Sequence, residues 1–246
     1  MWPVVVAAMM ATVSFAAEAG QSIDYVVGDK TFEGYRAAAK GSSKGLVVIV
    51  HDWSGLDDYE KRRADMLAAL GYDVFAVDLY GKGNRPDTLE ARKAEAGRLG
   101  QDRALMRRLL LGGLAEAQKM GDAKAVVMGY CFGGGAALEL ARSGEAKGVA
   151  GYATFHGALK TPEGQSYPKS TPPILIMHGG ADTSVTMEDV VALQRELEQA
   201  GVTYEIEIYS GAPHGFTAFD THRYQKRADE LSWSAFTDFL GATLGE

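Results

Sequence analysis

Six short strand-like runs, most of them apolar, alternate with longer amphipathic stretches along this chain, and that alternation admits few folds. Residues 46–50 read Leu-Val-Val-Ile-Val with no polar position, the pattern of a strand covered on both faces rather than one half exposed to water. Residues 74–77, 124–128, 148–155, 173–177 and 203–209 read as further strands, the last of them carrying Glu205 and Glu207. Between them, residues 58–70 (closed by Gly71), 136–142, 188–200 (closed by Gly201) and 223–240 carry helical periodicity. Residues 89–120 read as two helices interrupted near Gly100 and stopped by Gly121. A glycine after the last periodic residue is a natural helix stop. Ahead of these, residues 25–28 and 31–38 read as a β-hairpin turning at Asp29-Lys30. Strands alternating with helices predict an α/β class protein: a mainly parallel sheet with helices on both faces, in a single domain. In such sheets ligands bind beyond the carboxyl ends of the strands. His51-Asp52-Trp53, Asp78-Leu79-Tyr80, Cys131, His156, His178, Asp182 and His214 all fall there.

The chain has 246 residues, enough for one large core, and a net charge of −7 spread along its length. No basic block calls for nucleic acid. Residues 1–15 are apolar and free of acidic side chains, and Ala16-Ala17-Glu18-Ala19 follows. This predicts a secretory signal peptide over residues 1–19, cleaved after Ala17 or Ala19. Its n-region is atypical in having no Lys or Arg. The stretch is short for a membrane span, which needs about 20 apolar residues. The expected product is an exported, periplasmic or secreted protein of residues 20–246 without a stable membrane span.

Cys131 is the only cysteine. It lies in Gly129-Tyr130-Cys131-Phe132-Gly133-Gly134, between a strand-like run and a helical one, as in a G-x-S-x-G nucleophile elbow with sulfur replacing oxygen. A helix N-terminus beside the sulfur favours thiolate. A buried free cysteine next to a glycine turn is the plainer alternative. Downstream, Asp182 follows one strand in His178-Gly179-Gly180-Ala181-Asp182, and His214 follows the next in Pro213-His214-Gly215-Phe216. A nucleophile needs a base, and the base an orienting acid; nucleophile, acid and histidine occur here in the chain order of α/β-hydrolases. Taken singly, Asp182 could cap the following helix, His214 could be a turn residue, His156 a rim or core histidine, and His178 a local packing residue. No Cys/His cluster suits a metal, and the chemistry calls for no cofactor.

These motifs resemble the dienelactone hydrolase family of α/β-hydrolases. The Gly-Tyr-Cys-Phe-Gly-Gly elbow, Asp78-Leu79-Tyr80, the His-Gly-x-x-Asp loop, Pro-His-Gly-Phe and the Phe32-Glu33-Gly34-Tyr35 hairpin carry the likeness, which spans nearly all of residues 20–246. It implies hydrolysis of small carboxylic esters, lactones or thioesters through Cys131, Asp182 and His214, with an acyl-cysteine intermediate. It implies an oxyanion hole from the backbone N–H groups of Trp53 and Phe132. It also implies that a carboxylate, Asp52 in place of the family's Glu, holds the resting thiol. The family's two substrate-binding arginines are missing: Gly81-Lys82 stands at one position and Thr217-Ala218 at the other, leaving Lys82, or Arg223 from the loop, as an anchor. Tyr80, Lys82, His156 and Phe216 are the expected pocket residues. The alternative is a non-catalytic ligand-binding or sensor protein on the same scaffold.

Overall fold

The computed structural model describes residues 20–121 and 124–245; the signal-peptide reading of residues 1–19 lies outside the described residues. β1 (Gln21–Val27) and β2 (Lys30–Ala37) form an antiparallel hairpin, followed by β3 (Leu46–Val50), α1 (Asp58–Ala69), β4 (Asp73–Val77), α2 (Leu89–Gln101) and α3 (Arg103–Ala117). Then come β5 (Ala125–Tyr130), α4 (Phe132–Ser143), β6 (Val149–Phe155), β7 (Ile174–Gly179), α5 (Met187–Ala200), β8 (Tyr204–Tyr209) and α6 (Lys226–Leu244). The strands form one sheet in the order β1-β2-β4-β3-β5-β6-β7-β8. Pairing is antiparallel from β1 to β4 and parallel from β4 across to β8.

Alternation along the buried strands divides the core into two layers. Val47 and Ile49, with Val126, Met128 and Met177, pack on Ala64 and Leu67 of α1 and on Ala228, Phe236 and Leu240 of α6. Leu46, Val48 and Val50, with Val127 and Ile176, face the other way, towards α3, α4 and α5 through Leu110, Leu138 and Leu193. Every residue of β3 is buried, as expected for a strand with a helical layer on each face. Among the described residues, no helix is long and apolar enough to cross a membrane.

Two boundaries differ from the sequence reading. The break between α2 and α3 falls at Asp102, not at Gly100: Asp102 caps α3 by accepting a hydrogen bond from Leu105 N–H at 2.9 Å, a stronger signal than a glycine that a helix can absorb. α4 begins at Phe132, four residues before the Ala/Leu-rich run, so its first turn is built from Gly133, Gly134 and Gly135.

Candidate active site

β5 ends at Tyr130 and α4 begins at Phe132, so the whole turn falls on Cys131, which takes φ 51° and ψ −112°. That is costly for a side chain with a Cβ, and the surroundings hold it in place. Cys131 N–H donates to Phe155 O at 3.1 Å, and its carbonyl accepts from Gly135 and Ala158 N–H at 3.3 and 3.1 Å. The neighbouring glycines are required by close approach: a Cβ on Gly129 would sit 2.2 Å from the Gly133 carbonyl carbon, and one on Gly133 would sit 2.2 Å from Val50 O. The helix therefore starts hard against the end of β3, with the sulfur at its N-terminus and partly exposed.

The loops after β7 and β8 are tied together by backbone. Gly180 N–H donates to Tyr209 O at 2.8 Å and Ala181 N–H to Ala212 O at 3.0 Å. This pairing brings Asp182 to His214, with Oδ2 2.8 Å from Nδ1. His214 Nε2 lies 3.0 Å from Cys131 Sγ. Asp182 Oδ1 accepts from Ser184 and Val185 N–H at 2.8 and 2.9 Å. Burial alone would raise the Asp182 carboxyl; the His214 hydrogen bond and those two N–H groups more than offset it, and the carboxyl sits below its usual range. Burial likewise disfavours the His214 cation, but the hydrogen bonds and charges of Asp182 and Cys131 outweigh it, raising the imidazole to about 10. A thiol sulfur, a protonatable ring and a fixed carboxylate thus form one hydrogen-bonded line.

The loop after β3 lies beside this line. A Cβ on Gly133 would also meet His51 O at 2.5 Å, so the first turn of α4 touches residues 50–51. Asp52 does not hold the thiol there. Its Oδ1 accepts from Ser54 N–H at 2.7 Å and from the Ser54 hydroxyl, closing a turn within its own loop, the usual bond of a short Asp side chain. The hydrogen bond to Cys131 Sγ comes from His214. Trp53 and Phe132 are partly exposed, and among the described residues neither backbone N–H has an acceptor.

The four expected pocket residues separate. Tyr80 is buried, donates its hydroxyl to Trp53 O at 3.2 Å and packs against Phe132. Lys82 is paired with Asp24 of β1 on the surface, so its charge already has a partner. Phe216 has no exposed surface and packs on Tyr209 and His156 inside the core; it supports the site from within and does not line a pocket. His156 is buried too, with φ 41°. Its ring meets the His214 ring edge-on at 5.3 Å, and its Nε2 lies 2.8 Å from Thr217 Oγ1. Burial, with the neighbouring His214 charge, pushes His156 far below the usual range and keeps it neutral. His178 is buried at the end of β7, and Arg223 is exposed beside Gly215.

Thr217 has a part that the sequence reading did not give it. Its hydroxyl bridges His156 and Tyr59, the latter at 2.6 Å, and its carbonyl accepts from buried Arg63 at 2.9 Å. Arg63 pairs with Asp229 of α6. The His214 loop is thereby fastened to α1 and α6. The one signal in the sequence was an arginine, Arg63, inside the apolar stripe of a predicted helix.

Comparison with known proteins follows the same lines. The model of the dienelactone hydrolase family matches residues 32–244. A Bradyrhizobium protein named a probable 2-oxo-3-(5-oxofuran-2-ylidene)propanoate lactonase is 25% identical over 205 residues, covering 76% of this chain and 79% of its own. The solved structure "m3DLH" is 31% identical, with TM-score 0.83, covering 94% of this chain and all of its own. A dienelactone hydrolase-like promiscuous phosphotriesterase, P91, from metagenomic libraries is 27% identical, with TM-score 0.83, over 92% of this chain and 98% of its own.

Proposed function

Since the chain belongs to the dienelactone hydrolase family and is a carboxylic ester hydrolase with the α/β-hydrolase fold, we propose that it cleaves small uncharged esters, lactones or thioesters through an acyl-Cys131 intermediate. The observation that carries this is the hydrogen-bonded line Asp182–His214–Cys131, with 2.8 and 3.0 Å links.

With the proton held on His214, Cys131 sulfur attacks the carbonyl carbon and the C=O electron pair moves to oxygen. The Trp53 and Phe132 N–H groups donate to that oxyanion; a fixed donor of this kind contributes about 3–4 kcal/mol. On collapse the C–O bond breaks and His214 Nε2 gives its proton to the departing alkoxide. Neutral His214 then takes a proton from water, the hydroxide attacks the acyl carbon, and collapse expels the thiolate. The acid leaves, and the Cys131–His214 pair is restored. Asp182 keeps Nδ1 protonated throughout, so Nε2 is the atom that exchanges protons. Pairing of Lys82 with Asp24 and the buried threonine at 217 favour an uncharged substrate over one anchored by its own carboxylate.

Short p-nitrophenyl esters and simple lactones, assayed with wild type and Cys131→Ala, test the proposal. Turnover should vanish in the variant, and acid-quenched wild type should carry one acyl group on Cys131. Equal turnover by both proteins would refute it. We also propose, from the sequence of residues 1–19, that the enzyme is exported; the N-terminal mass of protein recovered from the secreted or periplasmic fraction checks this.

A further inference from the structure

From Asp52 N–H to Ser54 N–H, the loop after β3 spends every backbone polar group but one. Asp52 N–H donates to Glu60 Oε1 at 3.1 Å. Asp52 O faces His51 Nδ1 at 2.6 Å and also takes a longer bond, 3.4 Å, from Gly55 N–H. Trp53 O accepts from Tyr80, and Ser54 N–H donates to the Asp52 side chain. What remains is Trp53 N–H, which has no acceptor among the described residues.

His51 is fully buried, and its protonation pattern follows from its partners. Leu79 N–H can only donate, and it points at His51 Nε2 from 3.1 Å; Nε2 must be the lone-pair nitrogen. Nδ1 therefore carries the hydrogen and donates to Asp52 O. Burial, which outweighs the nearby carboxylates and carbonyl, keeps the ring below its usual pKa and neutral, the only form able to accept from Leu79. The ring also packs with Tyr80 and Phe132 in a three-ring cluster, at 4.7 and 6.2 Å, and so contacts the residue bearing the second oxyanion donor.

We propose that His51 is a positioning residue that aims the Trp53 N–H at the reacting oxyanion. Asp52 C=O and Trp53 N–H belong to one planar trans peptide and point in opposite directions. A ring that holds the carbonyl inward fixes the N–H outward, away from His51. A hydrogen bond accepted by the carbonyl also polarises the amide and strengthens its N–H as a donor. His51 is itself held by Leu79, two residues beyond β4, so the peptide plane is referenced to the neighbouring strand's end as well as to its own loop. The inference rests on the hydrolase reading above.

The test uses p-nitrophenyl acetate turnover together with alkylation of Cys131 by iodoacetamide, which needs the thiolate but no oxyanion hole. In His51→Leu, kcat should fall at least about tenfold, short of the roughly hundredfold or more for deleting a donor outright. KM and the alkylation rate should stay within about twofold of wild type, the range of a site whose donor is misaimed but whose thiolate is intact. His51→Gln, whose amide can donate to Asp52 O and accept from Leu79 N–H, should recover kcat to within about threefold of wild type. Unchanged kcat in His51→Leu overturns the proposal, as does a parallel fall in kcat and alkylation, which marks a collapsed site. If His51→Leu does not fold, His51→Gln decides: near-wild-type kcat supports the proposal, and a loss beyond about tenfold with alkylation unchanged overturns it. Absence of turnover in wild type removes the hydrolase reading, and this inference with it; turnover in wild type that His51→Leu retains removes this inference alone.

Discussion

Asp182→Asn isolates one link of the proposed triad without dismantling its loop. Asp182 Oδ1 accepts from Ser184 and Val185 N–H, and an asparagine oxygen can keep both bonds. Its NH2 group then faces His214 Nδ1. Two donors cannot share that contact, so the imidazole places its proton on Nε2, facing the sulfur, where it can no longer accept one from thiol or water. The loss can be bounded from the same site. The rise of His214 from 6.5 to about 10 corresponds to about 5 kcal/mol of preference for the cation. Asp182 leads the groups that raise it. Assigning it half, about 2.5 kcal/mol, gives about a 70-fold fall in kcat/KM, with the tautomer change adding to it. An ethyl ester is the substrate of choice, because its poor leaving group needs the His214 proton. Wild type should lose activity on the alkaline side as pH approaches about 10. In Asp182→Asn that limb should move down towards 6.5, the ordinary histidine value. Activity within about threefold of wild type, with an unmoved alkaline limb, would refute the argument.

Three further outcomes follow from the same geometry. Lys82→Ala should leave kcat/KM for neutral esters within about twofold of wild type, since the ammonium is paired with Asp24 at the surface; a tenfold or greater loss would return Lys82 to substrate binding. Gly133→Ala should lower the unfolding midpoint by several degrees, because its Cβ would lie 2.2 Å from Val50 O, a backbone atom that cannot step aside; overpacking of this kind costs about 1–3 kcal/mol, and calorimetry reads it. The raised His214 pKa contributes stability that is fully present below 6.5 and declines as pH rises to about 10. Urea denaturation across that window should show wild type losing its advantage over His214→Phe, and a constant difference would contradict the assignment.

The sheet was legible because its central strands are buried on both faces, and nothing but continuous apolar sequence satisfies that environment. The meeting of Cys131, Asp182 and His214 was legible because each sits in the first few residues after a strand, where topology alone brings distant segments to one rim. Side-chain placement was not legible where direction depends on a local hydrogen bond or on packing beyond the strand. Lys82 follows a strand end yet turns to Asp24, and Phe216 follows His214 by two residues yet points into the core. The start of α4 was hidden for another reason. Glycine is a poor helix former, so Gly133-Gly134-Gly135 read as a turn. They are helical all the same, and glycine is required there because β3, β6 and the segment after it press on that helix: added Cβ atoms would meet Val50 O, Thr154 Oγ1 and Ala158 Cβ at 2.2, 2.1 and 2.9 Å.

Asp52 has a consequence for how the proposed nucleophile rests. A carboxylate in this loop that reached the sulfur would keep the thiol until substrate displaced it. Here the shorter Asp closes on Ser54, and its backbone is claimed by Glu60 and His51. Nothing in the loop competes with His214 for Cys131, so the sulfur rests against its base. Activation by substrate-driven displacement is then unnecessary, and Cys131 should react with a small alkylating agent at the same rate with or without a bound, non-hydrolysable ester analogue that leaves the sulfur accessible. Burial of Glu60, with the Asp52 and Asp57 charges beside it, holds that carboxyl well above its usual range. The first turn of α1, where Glu60 receives the Asp52 and Asp57 N–H groups, therefore carries less negative charge than its sequence suggests.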